Sequence, residues 1–217
     1  VVARKLAHEI KNPLTPIQLS LDRLKEKYSS RMKEDQHQFN DYLLTINRQI
    51  KDIEKLVNEF SNFARMPRPV IKKINLNDVI LRSVNFFKIS SKSKITFHKN
   101  KNPNFIMGDE DQLYRVFINI IKNAEESIIE ILSKKPKFEG KIDIDIFKNN
   151  DYIVTVLKDN GEGISDTKKV MTPYFTTKKK GTGLGLPIVN KIINEHSGEF
   201  IIKSGKGTKI EIWLPSI

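Results

Sequence analysis

From Ile10 the apolar positions step along the chain through Leu14, Ile17, Leu21, Leu24 and Tyr28, at intervals of four, three, four, three and four. After a polar interval, "SSRMKEDQ", the alternation resumes at Phe39 and runs through Leu43, Ile46, Ile50, Ile53, Val57, Phe60 and Ala64. Steps of four and three keep one stripe of a helix turned towards a partner, which is the signature of a coiled-coil seam. Two such helices joined by a short polar turn predict an antiparallel hairpin. Leu6, Leu44, Leu56 and Phe63 widen the stripe beyond what one hairpin covers. Two hairpins are therefore expected to pair into a dimeric four-helix bundle.

Past "RMPRPV" the period changes. "KITFHKN", "KIDIDIFKN", "YIVTVLKD", "EFIIKS" and "TKIEIWLP" alternate like half-buried strands, whereas "NDVILRSVNFFKI", "EDQLYRVFINIIKNAEESIIEIL" and "LPIVNKIINEH" keep helical spacing. The mixture predicts an α+β sandwich, with one sheet covered by helices on one face. The expected division is a helical hairpin over 1–66, a linker over 67–73 and a second domain over 74–217.

Composition narrows the class. Of 217 residues, 29% are charged and 38% apolar, the balance of a globular protein rather than a disordered one. The chain has no cysteine, which excludes a disulfide framework and thiolate metal sites and fits a reducing compartment. The net charge is +12, but the lysines are spread along the chain with few aromatics among them. That distribution favours a solvated lysine-rich surface and argues against nucleic acid as a partner. No apolar run approaches the length of a membrane span. The chain opens on Val1 rather than methionine; it is expected to be a piece of a longer polypeptide, with any membrane anchor upstream.

Three stretches of the second region carry candidate chemistry. On the helix "YRVFINIIKNAEES", Leu113, Phe117, Ile120, Ala124 and Ile128 form a buried stripe, while Asn119, Lys122, Asn123 and Glu126 share another face. Asparagine is a mediocre helix former. Two of them four apart suit amide ligands for Mg²⁺ beside substrate phosphates, although the pair taken alone favours solvated or locally bonded side chains. In "VLKDNGEGIS" a strand ends at Asp159, followed by Gly161 and Gly163. A carboxylate there can accept from an exocyclic amine, but D-N-G is also ordinary turn chemistry. In "TPYFTTKKKGTGLGLPIVNKII" a segment rich in Lys, Thr and Gly runs into a helix, where glycines expose amide donors to an anion. It matches neither the G-x-x-x-x-G-K-[ST] phosphate loop nor a dinucleotide fingerprint.

Taken in order, an N-x-x-x-N helix, D-x-G-x-G after a strand, a lid ending in G-x-G-x-G, and "GKGT" at Gly205 to Thr208 resemble the Bergerat-type (GHKL) ATP-binding fold. That fold is shared by sensor histidine kinases, DNA gyrase B, MutL and heat-shock chaperones. The resemblance implies ATP and Mg²⁺ as ligands. By motif position Asn123 would hold Mg²⁺, Asn119 would support the same box, and Asp159 would bind the adenine amine in a pocket shaped by Gly161 and Gly163. Phe175 would begin the lid, Gly181, Gly183 and Gly185 would wrap the triphosphate, and Thr208 would lie near the adenine. One departure stands out. Many members carry a basic residue three or four positions after the second asparagine, where this chain has Glu126 and Ser127. Phosphate neutralisation is then expected from the lid, for instance from Lys178 or Lys180.

The stretch "LAHEIKNPLTP" sets His8 beside Glu9, one turn ahead of Asn12, with Pro13 and Pro16 following. H-E-x-x-H zinc chemistry would need a histidine where Asn12 stands. What remains is an imidazole whose neighbouring carboxylate can act as general base, making His8 a nucleophile for a phosphoryl group. Pro13 and Pro16 cannot donate to the carbonyls of Glu9 and Asn12, which is expected to loosen the helix just beyond the histidine. His37, His98 and His196 are read as structural.

"HEIKNPLTPIQLSLDRL" closely resembles the phosphoacceptor box of sensor histidine kinases in the nitrogen-regulation (NtrY-like) branch. That resemblance implies an ATP-dependent protein-histidine kinase. His8 would be autophosphorylated, with Glu9 as base, and would pass the group to an aspartate of a response-regulator receiver domain. Asn12 would position the water for dephosphorylating the regulator. It also implies a homodimer, forming the cytoplasmic part of an inner-membrane-anchored sensor.

Overall fold

The structure is a computed structural model describing residues 2–28, 36–64, 66–100, 102–178 and 181–217; the side chains of 2–9, 11 and 62–64 lie outside the description. The chain divides into two compact units, Val1–Pro67 and Arg68–Ile217.

The first unit is a pair of long helices, α1 (Val2–Tyr28) and α2 (Gln36–Ala64), packed against each other. α1 runs unbroken through Pro13 and Pro16. The polar turn expected between the helices falls on 29–35, outside the described residues. The seam divides into two rows. Leu14 and Leu21 on α1 meet Leu43 and Ile50 on α2 in one buried cluster, with Phe39 packed against it and Val57 buried further along α2. The alternate row, Ile10, Ile17 and Leu24 on α1 with Ile46 and Ile53 on α2, remains 40–46% exposed in the single chain. One heptad row therefore closes the hairpin and the other faces outward.

The second unit holds a five-stranded sheet in the order β2 (Lys94–His98), β4 (Lys141–Asn149), β5 (Tyr152–Asp159), β7 (Gly207–Pro215) and β6 (Glu199–Gly205). β2 joins β4 in parallel, and every other pairing in this sheet is antiparallel. The register aligns Ile142, Ile144 and Ile146 of β4 with Asp159, Leu157 and Thr155 of β5, and Ile210, Ile212 and Leu214 of β7 with Leu157, Thr155 and Ile153. These alternate residues form one buried face. Three helices cover it side by side: α3 (Leu76–Lys88) on β2, α4 (Glu110–Lys134) on β4 and α5 (Gly185–Glu195) on β6. Leu113, Phe117, Ile120, Ala124 and Ile128 supply the buried stripe of α4, as the helical spacing predicts, and Ile121 is buried beside them.

Two short strands depart from the expectation. β1 (Lys72–Asn75) and β3 (Phe105–Gly108) pair antiparallel as a separate ribbon. Lys72 and Lys73, inside the interval read as linker, are therefore part of the second unit's secondary structure, and the Val70 amide is tied to Asp109 Oδ2 at 2.8 Å. Asp109 also caps α4, its Oδ1 accepting from the Gln112 amide at 3.0 Å. Burial alone would raise the Asp109 pKa, but donated backbone N–H groups hold it below the ordinary value. His196 is buried where α5 ends: Nε2 accepts from the Asp109 amide at 2.9 Å and Nδ1 lies 2.8 Å from the Ile192 carbonyl. This histidine joins the start of α4 to the end of α5, a structural role.

Candidate nucleotide site

Asp159 is the last residue of β5, and the pleat turns it to the helix-covered face. Its Oδ1 accepts from the Gly161 amide at 2.8 Å and the Thr208 amide at 3.2 Å, and the Thr208 side chain bonds the same carboxylate. Burial pushes the Asp159 pKa up; the Gly161 and Thr208 hydrogen bonds and the charge of Lys178 oppose the rise without cancelling it. A buried carboxylate with its amides already arranged is a preformed acceptor for an N–H donor from a ligand.

The loop after Asp159 is stitched to its surroundings. Asn160 spans to the start of β4, accepting from the Lys141 amide at 2.8 Å and donating to the Glu139 carbonyl at 2.8 Å. The Glu162 amide donates to Ser127 Oγ of α4 at 2.9 Å, and a side chain at Gly161 would run into that serine. Gly163 takes a positive φ of 80° against Ser204 and the carbonyls of Gly205 and Gly207, a position closed to other residues. Gly207, at φ 94°, lies against the Asp159 carbonyl with no room for a Cβ. The "GKGT" turn and the "DNGEG" loop thus lock together behind Asp159.

α4 carries the other end of the site. Asn119 donates to the Arg115 carbonyl at 2.8 Å, and its Oδ1 lies on the side of α5. A Cβ placed on Gly185 would lie 3.4 Å from Asn119 Oδ1 and 3.7 Å from Asn123 Nδ2, so the first residue of α5 lies directly beside the asparagine pair. No side chain caps α5, and its first turn offers bare amide donors. From the lid, Lys178 Nζ lies 2.6 Å from Glu126 Oε2, 3.4 Å from Asn123 Oδ1 and 3.5 Å from the Asn123 carbonyl. The Asn123 amide oxygen is therefore already turned towards a cation, an arrangement that fits Mg²⁺ ligation. The base of the lid is closed by the Tyr174 amide donating to the Gly183 carbonyl at 3.1 Å; a Cβ on Gly183 would sit 2.5 Å from Tyr174 C and 2.7 Å from the Phe175 carbonyl.

The second unit thus brings Asn119, Asn123, Lys178 and Gly185 together at one end. Asp159, Gly161 and Thr208 meet at the other, linked to the first through Ser127 on α4, with Gly163 behind them. Phe175 and Gly183 meet at the lid base, and Gly181 donates its amide to the Lys178 carbonyl. Lys180 lies outside the described residues. In the first unit Asn12 is exposed on α1; the side chains of His8 and Glu9 are outside the description. Gly207, Ser204 and Ser127 escaped the sequence reading as site residues. The signals were present: Gly207 flanks Thr208, and Ser127 falls four positions after Asn123 on the same helix face.

The family model described as histidine kinase-, DNA gyrase B- and HSP90-like ATPase matches residues 108–217, the region that carries this whole site. The chain belongs to that ATPase family. Ahead of the ATPase domain, the model for the His Kinase A phospho-acceptor domain matches residues 2–69. The ATPase and phospho-acceptor domains together make a histidine-kinase catalytic core. The nitrogen regulation protein NtrY of Azorhizobium caulinodans is 37% identical over 219 residues, covering 98% of this chain and 28% of its own length. A putative NtrY-like sensor histidine kinase of Rickettsia prowazekii is 39% identical over 216 residues, covering 97% of this chain and 35% of that protein. The chain spans about a third of the length of these curated relatives. Among solved structures, the catalytic domain of histidine kinase ThkA matches 67% of this chain and 95% of its own, at 26% identity and a TM-score of 0.58. The Acinetobacter baumannii histidine kinase AdeS shares the fold over 96% of this chain and 97% of its own, at 18% identity and a TM-score of 0.63. Among the described residues no helix of this ATPase-family chain is long and apolar enough to cross a membrane.

Proposed function

We propose that this chain is the catalytic core of an NtrY-like two-component sensor kinase, which phosphorylates its own His8 with ATP and passes the group to a receiver aspartate. The observation that carries the reading is the convergence of the Asn123 amide, the Lys178 ammonium and the uncapped start of α5 at one end of a site whose other end is buried Asp159. The set of polar groups suits an adenine nucleotide, with the exocyclic amine on Asp159 and the phosphates between α4, the lid and α5. Gly161, Gly163 and Thr208 shape the adenine end; Asn119, Gly181, Gly183 and Gly185 line the phosphate end, with Phe175 at the lid base and Lys180 a further lid cation. Mg²⁺, held at the Asn123 amide oxygen, would neutralise charge on the phosphates.

An imidazole nitrogen of His8 attacks the terminal phosphorus, the bond to the ADP oxygen breaks, and a phosphoramidate forms. Glu9 takes the ring proton, which keeps the attacking nitrogen's lone pair available. Attack by the receiver carboxylate then breaks the nitrogen–phosphorus bond and regenerates His8. Exposed Asn12 is the residue for positioning a water when the regulator is dephosphorylated. The outward row of Ile10, Ile17, Leu24, Ile46 and Ile53 suits a second copy of the hairpin, completing a four-helix bundle. On this reading the core lies on the cytoplasmic side of the membrane, attached through segments outside this chain.

The test is incubation of the whole chain with γ-labelled ATP and Mg²⁺. The kinase reading expects an acid-labile, alkali-stable label that is absent in His8→Gln. Hydrolysis of ATP without labelled protein refutes it in favour of an ATPase clamp, and absence of ATP binding refutes it in favour of a scaffold.

A further inference from the structure

The inference concerns Glu126 and rests on the nucleotide reading above. Lys178 reaches α4 from the lid with its ammonium surrounded by three acceptors on one helical turn: Glu126 Oε2, Asn123 Oδ1 and the Asn123 carbonyl. The Glu126 contact is the shortest at 2.6 Å, and both side chains are partly buried. The other oxygen of Glu126 lies 3.9 Å from Lys122. Glu125, one residue earlier, is turned into the protein and accepts from the Lys92 amide at 2.6 Å and the Ser91 hydroxyl at 3.0 Å. At the lid end, the Lys178 amide donates to Thr176 Oγ1 and its carbonyl accepts from the Gly181 amide, so its backbone is held in a local turn.

We propose that Glu126 is a positioning residue that draws Lys178 onto α4 and so stations the phosphate-neutralising charge beside Asn123. A carboxylate at this point would by itself repel a polyphosphate. Its place next to the asparagine pair makes sense through the cation it holds. A basic residue at position 126 would supply charge whatever the lid did. With Glu126 on the helix and Lys178 on the lid, the charge is present only when the lid lies against α4. Lid position and phosphate affinity are thereby one equilibrium. The charge also reaches the adenine end, where Lys178 opposes the upward shift of Asp159.

The experiment is a double-mutant cycle on the whole chain, reading by calorimetry the affinity for a non-hydrolysable ATP analogue with Mg²⁺, and by thermal melting the fold of each variant. Glu126→Gln is expected to weaken binding about fivefold, the upper range for a partly exposed ion pair. Lys178→Met is expected to weaken it at least about tenfold, through loss of a charged donor to phosphate. The double variant is expected to bind as Lys178→Met does, because Glu126 acts only through the lysine. Unchanged or tighter binding in Glu126→Gln overturns the proposal, and so does a loss that persists in the Lys178→Met background. Failure of the unmodified chain to bind the analogue would instead refute the nucleotide reading.

Discussion

Replacing Asp159 by asparagine separates the function of this residue from its cost. Oδ1 is fixed as an acceptor by the Gly161 and Thr208 amides, so the amide oxygen of an asparagine takes that side. Its NH₂ group then replaces the other carboxylate oxygen and, on the proposed adenine assignment, would meet the exocyclic amine donor to donor. The loss of a charge-assisted hydrogen bond is worth about 2 kcal/mol, or about thirtyfold in dissociation constant. Stability moves the other way. Burial raises the native pKa above the ordinary aspartate value, so the folded state holds a proton that the unfolded state releases between those two values. The ionised carboxylate therefore costs stability at neutral pH, and the cost disappears as pH falls through the raised native pKa. Asp159→Asn should melt higher than the parent at pH 7, and the gap should close as pH falls through that window. Titration with a fluorescent ATP analogue and melting across pH measure both effects. Binding within twofold of the parent would refute the adenine assignment; a lower melting temperature at neutral pH would refute the desolvation argument.

Other expectations follow from single features. Asn123→Ala should abolish the enhancement of nucleotide binding by Mg²⁺, checked by titrating the analogue with and without the metal, while the melting transition persists. Ile46→Asp with Ile53→Asp places charge in the outward row, and sedimentation should show monomers where the parent shows dimers. Thr155 is fully buried between Ile146 and Ile212, and its hydroxyl finds no partner among the described residues. Thr155→Val should stabilise by about 1 kcal/mol, which calorimetry would read as a melting temperature higher by about 3 °C.

The elements that the sequence announced are the long ones. Both seams and the stripe of α4 repeat often enough for their period to stand out, whereas β1, "KKIN", and β3, "FIMG", span only two alternations each. The parallel attachment of β2 was equally hidden, because a side-chain pattern reports which face is buried and not which way a neighbour runs. At the site, Asn119, Asn123, Asp159 and the lid glycines were singled out by the order of short motifs that resembles the Bergerat-type fold, since each motif lies within a few residues of chain. The Glu126–Lys178 pair joins positions 52 residues apart, and its existence depends on the path of the lid. Gly207 belongs to the same class. Its need for a bare backbone comes from the Asp159 carbonyl on the adjacent strand, 48 positions earlier, which no local pattern encodes.

The two rows of the helical seam have a consequence for how the first unit endures in solution. A lone hairpin keeps Leu14, Leu21, Leu43 and Ile50 dry but leaves five isoleucines and leucines of the alternate row wet. On the bundle reading, dilution then acts on this unit as a denaturant does, and its melting point climbs with protein concentration. The second unit, with a closed core of its own, should melt at a temperature indifferent to how crowded the tube is.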